Sequence, residues 1–183
     1  MLNKPNVQLK VAQEFAKAAL AALTENGKLQ AESLIAGVSR MAGTYYFKSF
    51  KFQVTDLIPG QAVLSDMANQ KGPELMNIVQ FMLGKLEVSL NDAAVNAEMT
   101  NKASKNKPAM DFKTTQIRLE KAFAPIKVNY GLSDAEAGQA AAIAAAALIK
   151  DCQQVLSAEV GFAIAVYGLV EGTKTAPYPM PRS

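Results

Sequence analysis

The chain has 183 residues, half of them hydrophobic and 19% charged, with a formal net charge of +3. That is enough apolar material for one domain with a sizeable core, and the charge is too small to argue for a polyanion partner. There is no His, no Trp and a single Cys, which removes His-dependent triads and dyads, His-ligated metal sites, CxxC redox pairs and internal disulfides.

The first element predicted is a helix from Pro5 to Leu23. Val7, Val11, Phe15, Ala19, Ala22 and Leu23 share one face at 3.6-residue spacing, and Pro5 suits a first turn. Lys and Glu interrupt this segment, so it does not read as a secretory leader. Asn26-Gly27 is a stop and a turn.

A second helix is expected from Gln30 to Phe47. Its apolar run holds one charge, Arg40, on a strip with Ser33, Gly37 and Thr44. Phe50, Phe52 and Val54 alternate with polar residues as a strand would, until Pro59-Gly60 breaks the pattern. A short helix over Gln61 to Asn69 then precedes Gly72-Pro73, which reads as punctuation before a third main helix, Pro73 to Leu86. That helix carries no charge between Glu74 and Lys85, and is expected to be the central core helix.

Leu90 to Ala103 is a weaker helix with Asn91 or Asp92 as its cap, followed by a polar, basic loop to Lys107. A helix from Pro108 to Phe123 is expected to stop at Pro125. Ile126, Val128 and Tyr130 then alternate as a second extended segment.

The longest signal runs from Ser133 to Gly172. Ser133-x-x-Glu136 is a capping box, and nine alanines fall between Ala135 and Ala147. A bend or break is expected near Ser157 or Gly161. The segment 172–183, with Pro177, Pro179 and Pro181, must be extended. It is expected to pack along the chain's own surface, with a docking peptide as the alternative.

The expected fold is therefore an all-α, single-domain bundle of about six helices over residues 1–171. A Pro-containing tail follows over 172–183, and one short extended pair is the open alternative.

Few residues suggest chemistry. Glu159 falls on an apolar stripe, and Arg40 is the lone charge of the apolar stretch Ser33 to Phe47 in the second helix, so the two are expected to form a buried pair. Met41, Tyr45, Met82 and Phe162 are candidates to line an apolar pocket. Met41, Met67, Met76, Met82, Met99 and Met110 otherwise read as core filling. From Lys102 to Lys127 there are seven Lys or Arg against two acids, with Phe112 and Phe123 among them. This could be a phosphate-contacting face, but a solvated helix face explains it better.

Ser104-x-x-Lys107 precedes a proline, Gly172-Thr173-Lys174-Thr175 follows a helix, and Asp134 and Glu136 do not share a helix face. None of the three makes a site.

No catalytic residue, cofactor or metal is assigned. The reading favoured by the sequence is a non-enzymatic, soluble interaction or assembly protein forming a homo-oligomer, a dimer. The alternatives are a helical protein binding a small apolar ligand, and an enzyme working through carboxylate, Arg or Tyr groups. No membrane span is expected, nucleic acid is not the expected partner, and the lone Cys152 suits the cytoplasm.

Overall fold

A computed structural model describes residues 4–52, 57–101 and 107–179. Seven helices occupy them: α1 (Lys4–Leu23), α2 (Ala31–Ser49), α3 (Asp66–Lys85), α4 (Asp92–Thr100), α5 (Phe112–Asn129), α6 (Asp134–Asp151) and α7 (Ala158–Lys174). The fold is all-α. No helix among the described residues is long and apolar enough to cross a membrane.

The central element is α2. Every residue from Ser33 to Phe47 is buried, and α1, α3, α5, α6 and α7 all pack against it. The expectation that the Pro73 helix holds this place is wrong. In α3 only Ala68, Leu75, Val79 and Leu83 are buried, one face at near-helical spacing, while Phe81 is 62% exposed. Lack of charge made α3 look internal, but only one of its faces is covered.

Close approach of α7 explains how α2 is enclosed. A Cβ at Gly43 would meet the backbone of Leu169, Gly172 and Thr173. One at Gly168 would lie 2.8 Å from the Ala36 carbonyl oxygen, and one at Gly172 would collide with the Arg40 carbonyl and sit 2.9 Å from the Thr44 amide. Backbone meets backbone along this seam, and only residues without a Cβ fit.

The helix start expected at Pro73 and the stop expected at Pro125 are both overridden. Pro73 lies inside α3 and Pro125 inside α5. Each proline deprives the carbonyl four residues earlier of its donor. Those carbonyls belong to Asn69 and Lys121, both exposed, so water can satisfy them. The helix expected over Gln61 to Asn69 and the one from Pro73 are thus a single helix, begun by Ser65, whose hydroxyl accepts the Ala68 amide at 3.1 Å.

The extended segment expected over Ile126 to Tyr130 is instead the last turn of α5. Gly131, at φ +61°, ends that helix. Its amide bonds to Val128 and the Leu132 amide to Lys127, the paired bonds of a Schellman stop. At its other end α5 begins at Phe112, not Pro108, because Asp111 caps the Thr114 amide at 2.8 Å. Of the other strand-like segment, Phe50 caps α2, and residues 53–56, Val54 included, lie outside the described residues.

Other signals hold. Asn26-Gly27, at positive φ, makes a tight turn closed by paired Glu25–Lys28 bonds. Asn91 caps α4, the Ser133–Glu136 capping box is complete, and the long helical stretch breaks before Ser157, which caps α7. That α7 runs to Lys174 puts the start of the extended tail at Thr175.

Two substitutions test this packing by urea unfolding. Gly172→Ala should destabilise by about 3 kcal/mol, the upper end for overpacking, because backbone atoms stand in the way. Glu87→Gly should stabilise by about 1 kcal/mol. Glu87 ends α3 at φ +59°, a conformation that costs any residue with a Cβ.

Candidate functional site

The strip Ser33, Gly37, Arg40 and Thr44 faces the start of α5 and the C-terminal half of α7. The Ser33 hydroxyl accepts the Ala109 amide at 2.9 Å. Gly37 leaves room for the Thr115 methyl, only 2.7 Å from where a Cβ would stand. Arg40 is 8% exposed. Its Nε donates to Glu171 Oε2 at 2.5 Å, and its Nη1 to the Met110 carbonyl at 2.8 Å and to Thr115 Oγ1 at 3.3 Å. One guanidinium thus ties α2 to α7 and to the α5 N-terminus.

The partner expected for Arg40 was Glu159, and that is corrected to Glu171. The two glutamates stand twelve positions apart on α7, ~18 Å of helical rise. Arg40 lies beside Gly168 and Gly172, near the far end. Glu159 sits in the first turn of α7, where its carboxylate accepts the Asn91 amide at 3.3 Å. Its own amide and that of Asn91 hold its pKa below the ordinary value of 4.5. The sequence did contain a signal for the true pair: Gly168 and Gly172 mark where another helix comes closest, and Glu171 lies between them.

Beside Arg40 a groove of about 260 Å³ opens between α2, α4 and α7. Ala36, Ala163, Ile164 and Gly168 give it apolar walls, with Arg40, Glu171, Lys107 and Tyr167 as polar groups. The Tyr167 hydroxyl donates to the Met99 carbonyl, so the ring walls the groove while the hydroxyl is engaged elsewhere. The Arg40 charge is already matched by Glu171. Residues 102–106, which join Asn101 to Lys107, lie outside the described residues. Glu98 and Asn101 complete the groove's polar lining. Among the described residues, no cluster of His, Cys, Asp or Glu suits a metal ion.

The expected pocket lining is also corrected. Met41 and Tyr45 are fully buried, and Phe162 joins the same core cluster. They fill space between helices. Met82 alone lines a groove, the trough described below. Tyr45 stacks on Phe15 at 6.4 Å, and the Lys48 and Lys127 ammonium groups each lie 5.6 Å from its ring centroid. Lys48 pairs with Glu120 at 2.6 Å, and Lys127 pairs with Asp134. Burial, then the negative charge of Glu120 and Asp134, raises the Tyr45 pKa well above its ordinary value and keeps the phenol protonated.

In the basic segment Arg118 pairs with Glu25 at 2.5 Å, and Lys113 lies over Tyr178. Phe123 is in the core and Phe112 packs against Tyr178, so neither aromatic is displayed. Lys102 and Lys105 lie outside the described residues.

A second feature was not foreseen. α1 and α3 flank α6 and leave a trough of about 300 Å³ over it. Leu9, Ala16 and Leu20 form one wall, Met82 and Leu86 the other, and Ile143 and Ala147 the floor. Leu20, Leu148 and Asp151 carry this surface on into a further groove of about 570 Å³ with Leu29, Leu34 and Val155. Leu9, Leu20 and Val155 are all well exposed. Cys152 lies in the second groove. Burial, then the charges of Asp151 and Glu32, raises its thiol pKa, so it is a poor nucleophile. The missed signal is the 4-3-4 spacing of Leu9, Gln13, Ala16 and Leu20 on the outer face of α1.

No protein-family model, curated protein or solved structure matches the chain.

Arg40→Met should cost about 2 kcal/mol in urea unfolding, since it strands the Met110 carbonyl and removes a charge-assisted bond. Glu171→Gln should cost less than about 1 kcal/mol, because the Glu171 side chain is 41% exposed and solvent screens the pair. For Glu159 the depressed pKa means stability that is present above the ordinary carboxylate range and lost as pH falls through its folded value. Its NMR titration midpoint should lie below 4.5, and the stability gap between the native chain and Glu159→Gln should close under acid.

Proposed function

We propose that this chain is a non-enzymatic assembly protein that pairs with a second copy through the α1–α6–α3 trough. The observation that carries this reading is the continuity of the apolar surface from Leu9 through Leu20 to Val155. Apolar surface of this extent marks an interaction face more often than chance exposure. The trough supplies its own complement. The outer face of α1 carries Leu9, Gln13, Ala16 and Leu20 at the spacing of a helix that packs ridges into grooves. A two-fold axis would lay that ridge from one copy into the trough of the other, an isologous contact. On the floor, the small side chain of Ala147 permits close approach and Ile143 adds apolar surface. Lys17 and Asp151 on the rim are opposite in sign, so like charges need not meet. The lone thiol supports a reducing, cytoplasmic setting.

Light scattering should give twice the chain mass at micromolar concentration. The double variant Leu9→Glu, Leu20→Glu should give a monomer with an unchanged circular dichroism spectrum. A native chain that stays monomeric at high concentration would overturn the proposal.

The groove beside Arg40 favours a second reading, the binding of a small and largely apolar ligand. Its apolar walls and few polar groups fit that class. Native mass spectrometry of freshly purified protein should then reveal a bound mass that Ala163→Phe removes.

A further inference from the structure

Arg40 has one nitrogen to spare at the groove between α2, α4 and α7. Its Nε is taken by Glu171, and its Nη1 by the Met110 carbonyl and the Thr115 hydroxyl. Its Nη2 makes no hydrogen bond to the described residues, yet it is not among the buried polar atoms left without a partner. An unpaired atom that is not sealed in must meet open space, and the open space at Arg40 is this groove. The residue as a whole is 8% exposed. Packing and the bonds of Nε and Nη1 therefore hold the guanidinium still, with the donors of Nη2 aimed outward.

The groove has a polar end and an apolar end. Val160, Ala163, Ile164, Tyr167, Gly168 and Glu171 follow one face of α7 along it. Val160 and Glu171 stand eleven positions apart, ~16 Å of helical rise. Arg40 lies beside Gly168 and Gly172, so its free nitrogen stands at one end of a strip whose other end is Val160, Ala163 and Ile164. An elongated guest has a defined direction there, with its head at Arg40 and its chain along the strip.

Charge decides the head. A group that covers Nη2 displaces its water, and must offer an acceptor or leave an N–H unpaired in a dry site. Nε and Nη2 share one edge of the guanidinium plane, and Glu171 already stands on that edge. A carboxylate head on Nη2 would sit beside another carboxylate, and like charges at that range repel. An ammonium head has no acceptor at all. A carbonyl oxygen accepts from Nη2 and brings no charge. The rest of the lining agrees. Two cations, Arg40 and Lys107, face two carboxylates, Glu98 and Glu171, so a neutral guest leaves that balance undisturbed. The Tyr167 hydroxyl is engaged with the Met99 carbonyl and does not compete for the head.

We infer that the groove beside Arg40 binds an uncharged acyl compound, an alkyl chain ending in an amide or ester. Its carbonyl oxygen accepts from Arg40 Nη2, and its chain lies along Ile164, Ala163 and Val160. The inference rests on the small-ligand reading of this groove, to which it adds the head group and the direction. It is independent of the trough, which involves other helices.

The test is a titration of the isotopically labelled full chain, followed by NMR, with probes of one chain length: octanamide, octanoate and octylammonium. Octanamide should shift the backbone amides of Ala163, Ile164 and Gly168 and the guanidinium protons of Arg40. Octanoate and octylammonium should bind at least about tenfold more weakly, since one meets Glu171 and the other leaves Nη2 unpaired. Ala163→Phe, which fills the apolar end, should abolish the octanamide shifts. Only the head group changes among the probes, so the comparison needs no Arg40 variant that folds. Octanoate or octylammonium binding as tightly as octanamide overturns the head-group inference and leaves the small-ligand reading standing. Octanamide shifts that survive Ala163→Phe, or that spare Arg40, overturn it as well. If no probe shifts these signals, the inference and the small-ligand reading fall together.

Discussion

Everything in this bundle follows from the complete enclosure of α2. A helix buried along Ser33 to Phe47 must be covered on all sides by other helices, and the helix nearest to it comes within backbone distance. That approach is fixed by Gly43, Gly168 and Gly172. Dispersion forces decay steeply with separation, so a seam in which two backbones touch gains contacts that a Leu–Leu seam spreads over a wider gap. Glycine costs each helix up to ~1 kcal/mol of propensity. The fold accepts that cost at three places on one contact, and the return is a central helix with no solvent side.

Enclosure of α2 has an electrostatic consequence. Arg40 lies in the middle of the enclosed stretch and cannot reach water as a surface arginine does. A buried cation needs an anion and further acceptors, and the neighbours provide them. Glu171 stands one residue before the glycine that brings α7 close, and the Met110 carbonyl and Thr115 hydroxyl come from the start of α5. The same small residues that allow the helices to touch also set the distance at which the ion pair closes. Arg40 is a consequence of the packing and a lock upon it, since it fixes the register of three elements at once.

The sequence was legible where the signal was local. The capping box at Ser133, the Asn26-Gly27 turn and the stripes of α1 and α2 depend on neighbours within a turn or two. The failures came where the answer depended on which side faces water. Pro73 and Pro125 break helices in general, but here the residues whose carbonyls they orphan are exposed, and the local rule gives way. Glu159 and Glu171 both lie on α7, and choosing between them needed the crossing point of α2. The Pro73 helix was apolar enough for a core helix, yet nothing local shows that its outer face, with Phe81, is left uncovered.

The same logic governs what the molecule can do. Three cations are matched within the chain, Arg40 by Glu171, Lys48 by Glu120 and Lys127 by Asp134, and of these six groups only Arg40 and Glu120 are buried. Its surface carries an apolar trough along α6 and a smaller groove beside Arg40. The proposed pairing through the trough therefore rests on apolar surface and leaves these ion pairs intact.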